Sequence, residues 1–245
     1  MNLKFNDKGY ILFEGDCFDY FHLIEDKSID MILCDLPYGT TYCKWDCDFN
    51  LDKLWVEYKR IIKNDGAIVL FGSQPFTSKL VMSNPEMFRY EWIWVKNKGS
   101  GYLNVNYRPL KIHENILVFS KNKSVYNPIM RKGKPYKCKQ GYNGNYTSFK
   151  GSKSKKEIIT VNNGKRYPVS CIHSKIEVGL HPTQKPVKLC EYLIKTYTNK
   201  GDIVLDNCAG SGTTGVAAYN LGRRSIMMEK DSEYCKIIKD RMSEL

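Results

Sequence analysis

Two short runs in this chain carry side chains whose types and spacing could do chemistry. The first, Asp35-Leu36-Pro37-Tyr38, follows the apolar stretch Ile29–Cys34, so an acid, a proline and an aromatic fall just past the end of a buried strand. Open α/β sheets bind their ligands at that end. The second reads Ile203-Val204-Leu205-Asp206, then Asn207-Cys208-Ala209-Gly210-Ser211-Gly212-Thr213-Thr214-Gly215: a strand, a tight glycine turn and a helix start. Glycine permits positive φ and close backbone approach, and a helix N-terminus offers free N–H groups to an anionic or polar ligand. A further strand pattern, Ser225–Met228, ends at Glu229, whose carboxylate can accept two hydrogen bonds from a ribose diol.

Gly210, Gly212 and Gly215 also satisfy the dinucleotide pattern G-x-G-x-x-G, so a nicotinamide cofactor is an alternative. Two features weigh against it. Little sequence follows the turn, and a dinucleotide site needs both halves of its sheet, so the other strands must come from upstream in permuted order. Asp206 would repel a pyrophosphate, whereas it suits the amino group of a methionine moiety. No metal is expected. The nine cysteines are scattered, only Cys43 and Cys47 lie close together, and no second pair stands at zinc-ligand spacing. His113 and Glu114 do not form a His-Glu-x-x-His pair and read as structural.

The elements that must position these runs follow from periodicity. Strands are predicted at Tyr10–Glu14, Ile29–Cys34, Ala67–Phe71, Trp92–Val95, Asn115–Phe119, Ile203–Leu205 and Ser225–Met228, several of them continuous apolar runs as in buried parallel strands. Leu51, Leu54, Trp55, Tyr58, Ile61 and Ile62 keep helical spacing, with Asn50 as cap and a stop at Asn64-Asp65-Gly66. Further helices are predicted from Pro186, between Thr213 and Gly222, and from Asp231 as N-cap. The fold class is α/β with a mostly parallel sheet.

The 245 residues suffice for one α/β domain with an insertion. No apolar run approaches the roughly 18 to 20 residues that cross a bilayer. The N-terminus lacks the apolar core of a signal peptide, and free thiols suit a reducing compartment, so a cytoplasmic protein with no membrane partner is expected. The formal net charge of +12 is confined to one place. Residues 122–175 hold thirteen Lys and Arg against one acid, Glu157, while the remaining basic and acidic residues balance. This segment is rich in Gly, Asn, Ser and Lys and poor in aliphatics, so it reads as a basic insertion in a domain formed by residues 1–121 and 176–245.

At this point a resemblance becomes specific. Asp35-Leu36-Pro37-Tyr38 resembles the Asp-Pro-Pro-Tyr motif of the methyltransferases that modify adenine N6 or cytosine N4. Asp206 to Thr214 resembles their cofactor motif, usually written with Pro-Phe where this chain has Asn207-Cys208, and His181-Pro182-Thr183-Gln184-Lys185-Pro186 is similar to the segment that precedes it. The order (catalytic motif, basic variable region, cofactor motif) is that of the β class of DNA amino-methyltransferases. The resemblance implies a Rossmann-like fold with helices on both faces of the sheet, S-adenosyl-L-methionine as cofactor and DNA as partner. It implies cofactor contacts at Asp206, Cys208, Ala209, Gly210, Ser211, Gly212, Thr213, Thr214 and Glu229. It further implies Asp16 near the cofactor's adenine and His181, Thr183, Gln184 and Lys185 at its methionine carboxylate end. A homodimer is common in the class, and a cognate restriction nuclease is a partner the sequence does not identify.

The chemistry accounts for the residue types. An exocyclic amine is a poor nucleophile because its lone pair is delocalised into the ring. Asp35 can accept one N–H and the Leu36 carbonyl the other, favouring a pyramidal nitrogen and stabilising the charge that develops there. Pro37 stiffens the loop, and Tyr38 offers a face to an extruded base. Leu36 replaces the family's first proline, which keeps the carbonyl and gives up rigidity. Lys96 and the run Asn97–Gly101 form a loop over the target base or a plain surface loop. None of the nine prolines precedes a cysteine, so the thiolate that cytosine C5 methylation needs has no candidate.

In the basic segment, Arg131, Lys132, Lys134, Lys137, Lys139, Lys153, Lys155, Lys156, Lys165 and Arg166 alternate with tyrosines, a composition suited to phosphates and bases. Site-specific methylation of adenine N6 in DNA, after base flipping, is the leading reading. Aspartate at the first motif position leans towards adenine. Cytosine N4 methylation, RNA methylation, or a catalytically silent nucleic-acid-binding relative are the alternatives.

Overall fold

The computed structural model describes residues 3–39, 49–140, 158–177, 179 and 184–245. His181, Thr183, Lys153, Lys155, Lys156, Cys43 and Cys47 lie outside the described residues. The chain forms β1 (Tyr10–Glu14), β2 (Ile29–Cys34), α1 (Leu51–Ile61), β3 (Ile62–Gly72), α2 (Phe76–Ser83), β4 (Phe88–Ser100) and β5 (Lys111–Phe119). The basic segment contributes β6 (Arg131–Lys132), β7 (Tyr136–Gln140), β8 (Ile158–Asn162) and β9 (Lys165–Arg166). Then come β10 (Cys171–His173), α3 (Val187–Tyr197), β11 (Ile203–Asp206), α4 (Thr213–Asn220), β12 (Arg224–Glu229) and α5 (Ser232–Ser243).

Two compact units result: Met1–Asn127 with Ser170–Leu245, and Pro128–Val169. The larger holds an eight-stranded sheet in the order β1-β12-β11-β2-β3-β5-β4-β10. Pairing is parallel from β1 to β3, antiparallel on both sides of β5, and parallel again between β4 and β10. Both ends of the basic segment belong with this sheet: Asn127 donates its N–H to the Thr196 carbonyl, and β10 pairs with β4.

Alternation along β2 divides the core. Ile32 and Cys34 face a cluster that includes Leu54, Tyr58 and Phe76 of α1 and α2, while Met31 and Leu33 face one with Leu193 and Ala217 of α3 and α4. Helices therefore cover both faces, as the α/β reading expects. Asn50 caps α1 through its side chain, which accepts the Lys53 N–H at 3.0 Å. α1 stops earlier than expected, at Ile61: Ile62 turns extended and pairs with Ile29, so Asn64-Asp65-Gly66 lies inside β3. Lys96 to Ser100 forms the end of β4 and not a loop, because β5 reaches back far enough for Lys111 to pair with Ser100 across a bulge. α2 was not legible in advance; its buried apolar stripe is only Phe76 and Leu80.

The smaller unit consists of two separate two-stranded ladders, β6–β9 and β7–β8, and none of its described residues is buried. Its described part is more regular than the glycine-rich loop its composition suggests.

Leu54 has no exposed surface. Leu54→Ala is expected to lower unfolding free energy by about 2 to 5 kcal/mol, read as a reduced urea midpoint at unchanged slope.

Candidate active site

β2 and β11 are parallel neighbours, with Met31 opposite Val204 and Ile32 opposite Leu205. Their C-terminal ends therefore reach one edge of the sheet, and with them Asp35 and Asp206. Asp206 is 5% exposed and accepts the Cys208 N–H at 3.2 Å. Burial pushes its carboxyl up to about 6 despite hydrogen bonds from Thr214 and Cys208, and no cation pairs with it among the described residues.

The turn after β11 is built by glycine. Gly210 and Gly212 take φ values of 52° and 77°. A Cβ on Gly215 would lie 2.5 Å from the Met227 sulfur, so this glycine lets α4 lie close on β12. The Gly210 N–H donates to Glu229 Oε2 at 2.7 Å, and the Asp231 N–H to Oε1 at 2.9 Å. Burial raises the Glu229 carboxyl and these backbone donors oppose the rise. Asp16 stands at the end of β1, next to β12; it caps the turn at Cys17 and lies 3.4 Å from the Lys230 ammonium. Ala209 donates its N–H to the Met228 carbonyl, and Arg241 braces the turn through the Ser211 carbonyl and the Thr213 hydroxyl. Cys208 is half-buried and Thr214 buried.

The departure from the family's usual Pro-Phe has a structural reason. Asn207 is buried and accepts the Tyr58 hydroxyl at 2.5 Å, tying α1 to the glycine turn. Leu36, the departure in the other motif, is 2% exposed and packs in the core cluster of α1 and α2.

Past β2, Asp35 is held from two sides. Tyr38 donates its hydroxyl to Oδ1 at 2.7 Å, and the Lys185 ammonium pairs with Oδ2. Tyr38 stacks on Phe76 at 4.8 Å between centroids. Lys185 also lies 3.6 Å from Glu114, whose other oxygen pairs with Lys96. Two ammoniums and two carboxylates alternate in a neutral chain. Burial alone would lower Lys185, but Asp35 and Glu114 outweigh it and hold the ammonium above the ordinary lysine value. Burial would likewise raise Glu114, yet Lys185 and Lys96 bring it down. Lys185, assigned by resemblance to the cofactor's carboxylate, is thus bound to Asp35. Glu114, which reads as structural in the sequence, joins the cluster because Trp94 is its partner across the β4–β5 ladder. An acid next to Asn115, at the entry to the apolar run Ile116–Phe119, was the available signal.

Trp94, Lys96, Glu114, Glu177, Gln184 and Lys185 contribute to the walls of a cleft of about 210 Å³. Glu177 accepts the first N–H of α3 and orients Gln184. A larger hollow of about 560 Å³ lies at the start of β11 and β12, remote from these groups, and its Arg223 is tied to Thr198 and Leu221. The residues fit S-adenosylmethionine. Asp206, buried with no cation among the described residues, can take an ammonium, and the Glu229 carboxylate, which accepts backbone N–H groups from Gly210, Asp231 and Lys230, keeps acceptor capacity for a ribose hydroxyl.

Asp206 carries a pH signature. Its carboxyl is raised from an ordinary 3.8 to about 6, so its contribution to folding is full below 3.8 and is lost as pH rises through about 6. An ammonium ligand needs the ionised form. Calorimetric affinity for S-adenosylmethionine should therefore rise as pH passes about 6, and Asp206→Asn should remove that step.

Residues 29–240 match the DNA methylase family. The chain is 30% identical over 233 residues to the Type II methyltransferase M.HpaI of Haemophilus parainfluenzae, covering 89% of this chain and 69% of that one. It is 26% identical over 266 residues to the DNA adenine methyltransferase YhdJ of Escherichia coli (strain K12), covering 96% and 83%. Among solved structures, the M1.HpyAVI–SAM complex matches with a TM-score of 0.64 at 26% identity, covering 95% of this chain and 99% of that one. The family match spans both the Asp35 run and the glycine turn, and the chain belongs to the S-adenosylmethionine-dependent DNA methylase family.

Proposed function

We propose that the chain transfers a methyl group from S-adenosylmethionine to the N6 amino group of adenine at specific sites in DNA, after the base has left the duplex. The observation that carries this reading is the parallel pairing of β2 with β11, which brings Asp35 to the edge that bears Asp206, Gly210 and Glu229. When bound, the cofactor supplies an electrophilic methyl group on a sulfonium. Asp206 takes the ammonium of its methionine end, and Glu229 the ribose hydroxyls. Asp35 accepts one N–H of the adenine amine and the Leu36 carbonyl the other, so that the nitrogen lone pair turns towards the methyl carbon. As the N–C bond forms the methyl–sulfur bond would break, S-adenosylhomocysteine would leave, and the surplus N–H proton would pass to solvent. Lys185 holds Asp35 in place through their ion pair. Tyr38, aligned by Phe76 and by its bond to Asp35, borders the base.

The smaller unit is the reader of the DNA site in this proposal. Arg131 stands opposite Arg166, and Lys132 opposite Lys165. Like charges facing each other across a ladder are destabilising, and a phosphate backbone relieves them. Arg131, Lys132, Lys134, Lys137 and Lys165 are exposed; Lys139 lies on β7. Arg166 is engaged within the unit, over the Tyr136 ring at 4.6 Å. Free cysteines and a DNA substrate suit work in the cytoplasm, and no helix among the described residues is long and apolar enough to cross a membrane.

Methylation of a random-sequence DNA library, with the modified positions mapped and the base identified by mass, tests the reading. N6-methyladenine at a defined sequence is expected; N4-methylcytosine, or no incorporation, overturns it. Asp35→Ala and Asp35→Asn should each lower kcat by about a hundredfold or more while calorimetry shows cofactor binding retained. Normal turnover would make the tetrapeptide a mere turn. If the five exposed cations each neutralise a phosphate, affinity for DNA should fall roughly several hundredfold between about 50 and 200 mM salt, measured by fluorescence anisotropy. A flat response would remove the basic unit from the account.

A further inference from the structure

The hairpin joining β4 to β5 leaves the sheet at the catalytic edge. β5 runs antiparallel to β3, and the last residue of β3, Gly72, pairs with Asn115. Lys111 to Glu114 therefore overhang the neighbouring strand by about 13 Å at the usual rise per residue. Lys98, Gly99 and Ser100, on the opposing strand, line the cleft that contains Lys185 and Glu114. Beyond them the chain carries an unusual tip. Leu103 is 97% exposed and Tyr107 88%, with Tyr102 and Val105 also more than half or half exposed. Isolated apolar side chains on a surface are ordinary, but several on one short tip need an explanation.

The tip is built, not loose. Gly101 takes a left-handed conformation, Tyr102–Asn104 form a 3-10 turn, and the Tyr107 and Arg108 N–H groups both donate to the Asn104 carbonyl at 3.0 Å. Its charge is of one sign. Between Glu91 and Glu114 there is no acid; Lys96 is paired with Glu114, and Lys98, Arg108 and Lys111 are the cations left to the hairpin. A second copy of the chain would bring these cations against each other, whereas a polyanion with an apolar interior complements both the charge and the exposed aromatic and aliphatic groups. Duplex DNA has that composition: phosphates outside, stacked bases within.

We propose that this tip is a wedge for duplex DNA, with Leu103 and Tyr107 entering the base stack where the target base leaves it and the flanking lysines and arginine gripping phosphates. The proposal rests on the methylation reading and adds the device that holds the duplex open. A side chain in the vacated space replaces lost stacking and slows the return of the base.

Two measurements test it. In hydrogen–deuterium exchange with plasmid DNA and S-adenosylhomocysteine, amides of residues 101–112 should slow. Unchanged exchange overturns the wedge, and slowing on raising protein concentration alone would assign the tip to a second copy of the chain and overturn it as well. The variant Leu103→Ala/Tyr107→Ala is then compared on two oligonucleotides carrying the mapped site, one an intact duplex and one with an abasic position opposite the target base. A drop in kcat/KM of about tenfold or more on the intact duplex, with the pre-opened substrate within about twofold, is expected. Equal losses on both substrates, or none, overturn the wedge. If the parent protein methylates no DNA at all, the methylation reading fails, and the exchange result alone then decides whether the tip meets DNA.

Discussion

Backbone hydrogen bonding between β2 and β11 is the constraint on which the chemistry depends. The two strands come from distant parts of the chain, and because their pairing is parallel their C-terminal loops emerge together. A slip of one residue would turn Asp35 and Asp206 to opposite faces of the sheet. A side-chain clasp holds the register from the other end: Asp30, near the start of β2, accepts the Ile203 N–H at 2.9 Å and the Lys63 ammonium at 2.5 Å. The same strand divides the core between the two helical layers, so disturbing it would disturb packing and catalysis at once.

Two aspartates at this edge occupy opposite electrostatic environments. Asp35 lies against a buried ammonium and a tyrosine hydroxyl, which fix its orientation as a hydrogen-bond acceptor. Asp206 is buried with only neutral donors among the described residues, and burial raises its carboxyl. Lys185 could not serve both, since its single charge already lies between Asp35 and Glu114.

Outside the sheet, no acidic side chain pairs with the facing cations of β6 and β9 among the described residues, and the hairpin tip leaves apolar side chains exposed. Arginine faces arginine and lysine faces lysine in the β6–β9 ladder, and apolar side chains crowd a cationic hairpin tip. Neither arrangement favours the isolated protein. Both are eased by the same kind of partner, a polyanion that also offers ring faces.

Much of this was legible in the residue order. The apolar runs of β2, β11 and β12, the caps at Asn50 and Asp231, and the glycines of the turn are local signals, each dictated by backbone sterics or by burial within a few residues. So were the two motifs, because an acid or a glycine at the end of a strand needs no distant partner to be recognised. What the residue order left open was every relation that depends on which strands become neighbours. Glu114 joined the site only through the β4–β5 ladder, Lys185 went to Asp35 because α3 starts beside β2, and Asn207 became a tether only once Tyr58 faced it. Long-range pairing is set by the packing of the whole sheet, and no spacing within a single run encodes it.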